Sequence, residues 1–223
     1  RGSENIIKAV KESSLRTGAS QTSVGGTLNL TDAIKRYGVA TKVYFAATSE
    51  LFGKAKESPQ NEETPFHPRS PYAVSKLVGF WTIKNYRESY GLFMSNGILF
   101  NHESEFRGQE FVTRKVTKAV AAIKRGSQAT VEIGNLNARR DWGYAADYVD
   151  AMWLMLQSDT PDDYVIATGK LHSVRDILDT AFSAIDIDDW TPYIQEDEQF
   201  MRASDLPPLC GDSAKAKERL DWQ

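Results

Sequence analysis

The sequence predicts an α/β fold with parallel strands, and three observations carry that reading. From Thr27 onward, segments with helical spacing of apolar residues alternate with short β-rich runs. This rhythm suits parallel strands joined by crossover helices. Chain length is the second observation, because 223 residues are enough to bury a sizeable core. Composition is the third: with 41% hydrophobic and 26% charged residues, the chain matches folded globular domains rather than disordered, collagen-like or coiled-coil chains.

The elements follow in order. Thr27–Tyr37 carries Leu28, Leu30, Ala33 and Ile34 near helical spacing and stops at Gly38, a suitable C-cap. Val43–Ala47 reads as a short buried strand. A loop rich in Pro, Asn, Glu and Ser (Lys54–Arg69) ends in Ser70-Pro71, an N-cap hydroxyl before a proline at the first helical position. The helix it opens should run from Pro71 to about Tyr90 and close at Gly91. An apolar run follows at Phe93–Phe100, then a helix at Thr113–Arg125 before Gly126 and a strand at Thr130–Ile133. Asp147–Gln157 has an amphipathic helical pattern and Tyr164–Thr168 reads as a strand. Ser173 opens a helix with Asp176 placed as a capping-box acid, and a last short helix starts behind Asp212. Asp186–Pro208 is acidic, holds Pro192, Pro207 and Pro208, shows no periodicity, and is expected to be a lid or mobile loop. Asn5–Lys11 has helical potential, but Ser13–Gly26 is crowded with Ser, Thr and Gly. The first 26 residues are therefore expected to be weakly structured or incomplete.

Charge and composition exclude several classes of function. Lys plus Arg is 27 against Asp plus Glu at 30, a formal charge of -3 with no long run of one sign, which argues against nucleic acid as a partner. The apolar stretch Ala151–Leu156 is far short of the ~20 residues needed to cross a bilayer, and the N-terminal residues show no signal-peptide pattern, so no membrane association is expected. A single cysteine, Cys210, rules out a disulfide framework within the chain, and His67, His102 and His172 share no metal-ligand spacing. A reducing, cytoplasmic setting without a metal is expected.

Four groups of residues carry chemistry. Tyr72 is followed four positions later by Lys76, so both share one face of the Pro71 helix. A tyrosine needs help to act as a base near neutral pH, and an ammonium one turn away stabilises the phenolate. A surface tyrosine beside a solvated lysine would show the same spacing. Thr48-Ser49-Glu50 stands where a buried strand runs into Leu51-Phe52-Gly53, at the carboxyl edge where α/β sheets bind ligands. If the strand continued, Thr48 and Glu50 would point the same way, a hydroxyl and a carboxylate suited to polarising a carbonyl and moving a proton beside it. A polar turn after a strand would read identically. Asn101-His102-Glu103-Ser104 follows the next strand, with Arg107 beyond, and His102 alone reads equally as a structural histidine. In Arg139-Arg140-Asp141-Trp142-Gly143, two adjacent arginines in a loop could clamp a pyrophosphate or form structural ion pairs.

Taken together, these runs and their order resemble a known family. Ala47-Thr48-Ser49-Glu50-Leu51-Phe52-Gly53, Ser70-Pro71-Tyr72-Ala73-Val74-Ser75-Lys76, Asn96-Gly97-Ile98-Leu99-Phe100-Asn101-His102-Glu103-Ser104, Phe111-Val112-Thr113-Arg114-Lys115 and Arg140-Asp141-Trp142-Gly143 resemble the GDP-mannose 4,6-dehydratase family of extended short-chain dehydrogenase/reductases. The likeness covers most of Gly26–Trp222. It implies a Rossmann-like, doubly wound parallel sheet and an NADP-dependent dehydration of a GDP-sugar in nucleotide-sugar metabolism leading to GDP-fucose. By the same resemblance Tyr72 would take the proton from the sugar O4 while NADP accepts hydride from C4, with Lys76 holding the nicotinamide ribose. Glu50 would remove the C5 proton and help expel the C6 hydroxyl, and Thr48 would hydrogen-bond O4. His102 and Arg107 match cofactor positions, and Asn101, Lys115, Arg140 and Arg202 match positions around the GDP-sugar. A homodimer or homotetramer is implied, with the apolar faces of the helices from Pro71 and Thr113 as candidate contacts, although a core helix would show the same pattern.

The sequence also departs from the family pattern. Ala47 and Phe52 replace the common Ser and Tyr, and Glu105-Phe106 stands where Pro-Arg is usual. No G-x-G-x-x-G fingerprint follows a strand, so the opening βαβ units are expected to be absent or reduced to residues 1–26. The segment before Arg202 looks shortened. Residues 1–110 are expected to form a partial NADP-binding part and 111–223 mainly a sugar-nucleotide part, with the strand near 164–168 returning to the main sheet. Alternatives are a dehydratase of another GDP-hexose or GDP-heptose, and a non-catalytic relative serving as a binding or assembly module. A 4-epimerase would have no use for Glu50.

Overall fold

The computed structural model describes residues 19–197, 199 and 207–223. Its main sheet holds β1 (Val43–Thr48), β2 (Met94–Leu99) and β6 (Asp163–Ile166) in the order β1-β2-β6, all parallel. Helix α1 (Ala19–Tyr37) packs beside α2 (Pro71–Tyr90), and α2 lies against β1 and β2. On the other side run α4 (Ala145–Gln157) and α6 (Ala214–Leu220). A second, antiparallel-edged sheet is built from β3 (Asn101–Glu103), β5 (Arg139–Tyr144) and β7 (Leu171–Ser173), in the order β3-β5-β7. A two-stranded ribbon pairs β4 (Val131–Ile133) with β8 (Ile194–Glu196). Helices α3 (Val112–Lys124) and α5 (Val174–Ser183) pack on each other beside it.

Local chemistry explains the best-formed elements. Ser70 sits in extended backbone and its hydroxyl accepts from the Ala73 amide, Pro71 follows at the first helical position, and Gly91 closes α2 at φ +65°. The Ser173 and Asp176 side chains each accept from the other's backbone, completing the capping box of α5. The longest apolar cluster joins Leu51, Phe52, Ile98, Phe100, Met155 and Val165 across β1, β2, β6 and α4. A separate cluster gathers Val116, Val120, Ile133, Leu178, Phe182 and Trp190 around α3, α5 and β4. Between α2 and the sheet, Arg87 forms a two-pronged pair with Asp163 at 2.8 and 2.9 Å, and Asn96 donates to the same carboxylate at 2.8 Å. Both partners are largely buried, so removing one would cost about 3–5 kcal/mol.

Several expectations need correction. The stretch expected to be weakly structured up to Gly26 is helical from Ala19, because α1 packs on α2; Asn5–Lys11 lies outside the described residues. Asp186–Pro208 is not a structureless lid throughout: Thr191–Tyr193 forms a 3-10 turn, β8 pairs with β4, and Trp190 is buried with its indole N–H donating to Asp179. The apolar face of α3 is spent on the second core through Val116, Ala119 and Val120, so it is no contact surface. Helix α2 does leave Val74, Val78 and Trp81 exposed. No helix among the described residues is long and apolar enough to cross a membrane.

Candidate active site

Strand β1 delivers Thr48 to the carboxyl edge of the main sheet, and the chain then tightens into a 3-10 turn, Ser49–Leu51. Thr48 caps that turn, its hydroxyl accepting from the Glu50 amide at 3.3 Å. Glu50 therefore does not share a strand face with Thr48, as simple alternation would have it; the turn, rather than the two-residue period, brings the carboxylate round. Leu51 and Phe52 are fully buried and anchor the turn. Gly53 is required behind it, since φ is +49° and a Cβ there would stand 1.9 Å from the His67 carbonyl oxygen.

Helix α2 supplies the other half. Tyr72 lies in its first turn, 48% exposed and thus reachable by a ligand. Burial of the rest of the ring raises its phenol above the ordinary tyrosine value; a hydrogen bond from Thr48 and the charge of Arg107 pull it down, and the charge of Glu50 pushes it up. Thr48, Glu50 and Arg107 thus all act on this phenol. Lys76, one turn on, has its ammonium 5.9 Å from the centre of the Tyr72 ring, and donates at 2.8 Å to the carbonyl of Ala46 on β1. The direct pairing of this ammonium with the phenol that the spacing suggested is replaced by that carbonyl contact. Burial lowers the Lys76 ammonium from its ordinary value.

The sequence marks Ser70 only as a helix cap. Its hydroxyl donates to Oε2 of Glu50 at 3.2 Å while accepting from the Ala73 amide at 3.0 Å. Asn101, His102 and Glu103 form strand β3, directly after the strand that ends at Leu99. His102 Nδ1 is 2.8 Å from the Phe100 carbonyl oxygen and the ring stacks on Tyr148 at 4.9 Å, so Nε2 is the ring nitrogen that does not face that carbonyl. Arg107 pairs with Glu103 at 3.3 Å and lies 3.5 Å over the Phe111 ring.

Beyond this edge opens a cavity of about 540 Å³ whose walls come from β3, α3, β4, β5 and the start of α5. Asn101, Lys115 and Arg140 all line it, together with Phe111, Ile133, Trp142 and the carboxylates Glu103, Glu110 and Glu132. Arg139 and Arg140 belong to strand β5, paired with Ser173 and His172 of β7. Adjacent strand residues face opposite ways, so the two cannot clamp one pyrophosphate, and only Arg140 lines the cavity. Arg202 lies outside the described residues. Asp141, buried on the opposite face from Arg140, accepts from Thr168, Gly169 and Gly211 backbone amides and from the Thr168 hydroxyl. It locks the chain around the site but offers no free oxygen for chemistry.

The chemistry of the donors fits the nicotinamide end of a dinucleotide. The Lys76 ammonium spends one of its three N–H groups on Ala46 and has others for ribose hydroxyls. Among the described residues, no strand-to-helix turn carries the glycine fingerprint that would cradle the phosphates.

A parallel sheet with a Tyr/Lys helix and a Thr-Ser-Glu turn at its carboxyl edge defines an extended short-chain dehydrogenase/reductase fold. The solved structure of RMD from Pseudomonas aeruginosa complexed with NADPH superposes with a TM-score of 0.84 at 24% identity, covering 98% of this chain and 72% of that one. The dTDP-glucose 4,6-dehydratase of Bacillus anthracis in complex with NAD gives 0.82 at 20% identity, covering 100% of this chain and 71% of that one. The family model described as GDP-mannose 4,6 dehydratase matches residues 7–223, and the chain belongs to that family. GDP-mannose 4,6 dehydratase 2 of Arabidopsis thaliana is 50% identical over 202 residues, 89% of this chain and 54% of the relative. The human GDP-mannose 4,6 dehydratase is 47% identical over 216 residues, 89% of this chain and 58% of the relative. The chain thus spans a little over half the length of these relatives.

Proposed function

We propose that this chain carries the proton-transfer and sugar-binding residues of an NADP-dependent GDP-mannose 4,6-dehydratase, which forms GDP-4-keto-6-deoxymannose. The observation that supports this most is a second proton-transfer group: the Glu50 carboxylate is hydrogen-bonded at 3.2 Å to Ser70, the residue that caps the helix carrying Tyr72. Oxidation and return of C4, as in an epimerase, calls for the phenol alone. Elimination across C5 and C6 calls for a carboxylate as well.

Bound NADP supplies the oxidant for C4 and the reductant for C6, and ends as it began. Tyr72 accepts the O4 proton through its phenolate; the Thr48 hydroxyl donates its single proton to that phenolate and, once the phenol is protonated, to the C4 oxygen. Lys76 holds the nicotinamide ribose with its remaining N–H groups, and His102 and Arg107 line the same cofactor. Once C4 is a ketone, the C5–H bond is acidified. Glu50 takes that proton; the bonding pair becomes the C5–C6 double bond and the C6–O bond breaks, the oxygen leaving as water with the proton Glu50 delivers. Reduction at C6 and reprotonation at C5 complete the product. Asn101, Lys115, Arg140 and Arg202 hold the GDP-sugar, with the Lys115 and Arg140 cations toward its diphosphate.

The same reading divides the chain into a cofactor part, residues 1–110, and a sugar-nucleotide part, 111–223. It carries a homodimer or homotetramer, supported by the exposed Val74, Val78 and Trp81 on α2. It also carries a cytoplasmic setting, in keeping with a lone cysteine in the sequence. Incubation with NADP and GDP-mannose, followed by mass measurement of the sugar nucleotide, tests the function. A product lighter by one water is expected; unchanged substrate or an isomer of equal mass would overturn the proposal.

A further inference from the structure

We infer that Ser70 is a positioning residue for Glu50, which ties the general base to the helix that carries the phenol; this rests on the dehydratase reading above. The observation is one hydroxyl with two duties. Ser70 Oγ accepts from the Ala73 amide, the ordinary work of an N-cap. Its proton is thereby free to go elsewhere, and it goes to Glu50 Oε2 at 3.2 Å, twenty residues back in the chain. A helix cap needs only the acceptor half of a hydroxyl.

The donated bond has a chemical consequence. Glu50 stands on a three-residue 3-10 turn and its side chain has several rotamers to choose from. The Ser70 hydrogen bond occupies Oε2 and selects one, leaving Oε1 as the oxygen with open lone pairs for the C5 proton. Pro71 fixes the backbone immediately after Ser70, and Tyr72 follows it. The distance from base to phenol is therefore set by two consecutive residues of α2 and one hydrogen bond. A base displaced by about 1 Å can lose on the order of 10²-fold in rate.

The substitution that separates the two duties is Ser70→Gly. Glycine is nearly as good a cap as serine, yet offers no proton to Glu50. In NADP-loaded protein with GDP-mannose in D2O, formation of reduced cofactor should stay within about threefold of the parent, whereas deuterium entry at C5 should fall by about 10- to 100-fold. Ser70→Thr, which keeps the hydroxyl, should restore C5 exchange. Equal losses in both steps would show a cap and nothing more, and unchanged C5 exchange would show that the bond does not matter; either overturns the inference. A second measurement does not depend on activity. Melting temperatures of Ser70→Gly, Glu50→Ala and the double variant should be non-additive, the second substitution costing less once the first is made. Additive shifts would overturn the tie. If the parent fails to exchange C5 at all, the dehydratase reading falls, and the melting cycle alone decides whether Ser70 holds Glu50.

Discussion

In the proposed reaction Glu50 would take a proton from carbon and give one to oxygen with a single carboxylate, and its surroundings suit that double task. It is half-buried, fixed by Ser70 on one oxygen, and close enough to Tyr72 for its charge to raise the phenol. Glu50→Gln keeps the size and removes the proton acceptor, so turnover should fall by ~10² to 10⁴ while sugar-nucleotide binding persists; C5 exchange at the parent rate would count against the assignment. Thr48 acts on the other partner. Its hydrogen bond lowers the Tyr72 phenol against the larger raising effect of burial. The active form of this base is deprotonated, so activity rises with pH as the phenol ionises. Thr48→Val deletes the lowering influence, the phenol rises further, and the rising limb of kcat/KM should move to higher pH. A limb that stays put, or moves down, would show that Thr48 does not act through Tyr72.

At the scale of elements, the junction between β1 and α2 makes the site. Gly53→Ala combines a left-handed backbone with a Cβ driven into the His67 carbonyl, and should destabilise by more than the ~1–2 kcal/mol of the backbone penalty alone. Thermal unfolding measures it. Strand β5 brings Arg140 to the cavity proposed for the sugar nucleotide: a charged contact from Arg140 to a diphosphate is worth ~1.5–3 kcal/mol, so Arg140→Ala should weaken GDP binding by roughly 10- to 100-fold in calorimetry. Helix α2 was legible end to end, because Ser70-Pro71 and Gly91 are local signals that need no tertiary context. The same holds for the Ser173–Asp176 box. Strands β3, β5, β7 and β8 were not legible as strands. Three are only three residues long, too short for a period to appear, and β5 opens on three charged residues, Arg139 to Asp141, and shows no apolar alternation, its pairing being decided by β3 and β7. For that reason Arg139 and Arg140 read as a loop clamp, when alternation sends them to opposite faces.

At the scale of the molecule, two apolar clusters meet the site from different sides. The first fixes the turn of Glu50 through Leu51 and Phe52; the second backs the walls of the cavity through Val116, Ile133 and Val174. The candidate residues were found in the sequence as four separate motifs, and their gathering follows from the parallel register of β1 and β2 and of β3 and β5. What no motif contained was the link between them. The Ser70 to Glu50 bond, the Glu103 to Thr113 bond and the Asp141 lock on Thr168 and Gly211 join residues from different motifs. The proposed function places proton abstraction at C5 between oxidation at C4 and reduction at C6. The most direct measurement is the position of label in the product of GDP-mannose turned over in D2O by the NADP-loaded protein. The account predicts a 4-keto-6-deoxy sugar nucleotide with deuterium at C5 and none at C6. A C4 epimer of unchanged mass, or a dehydrated product carrying no deuterium at C5, would contradict it.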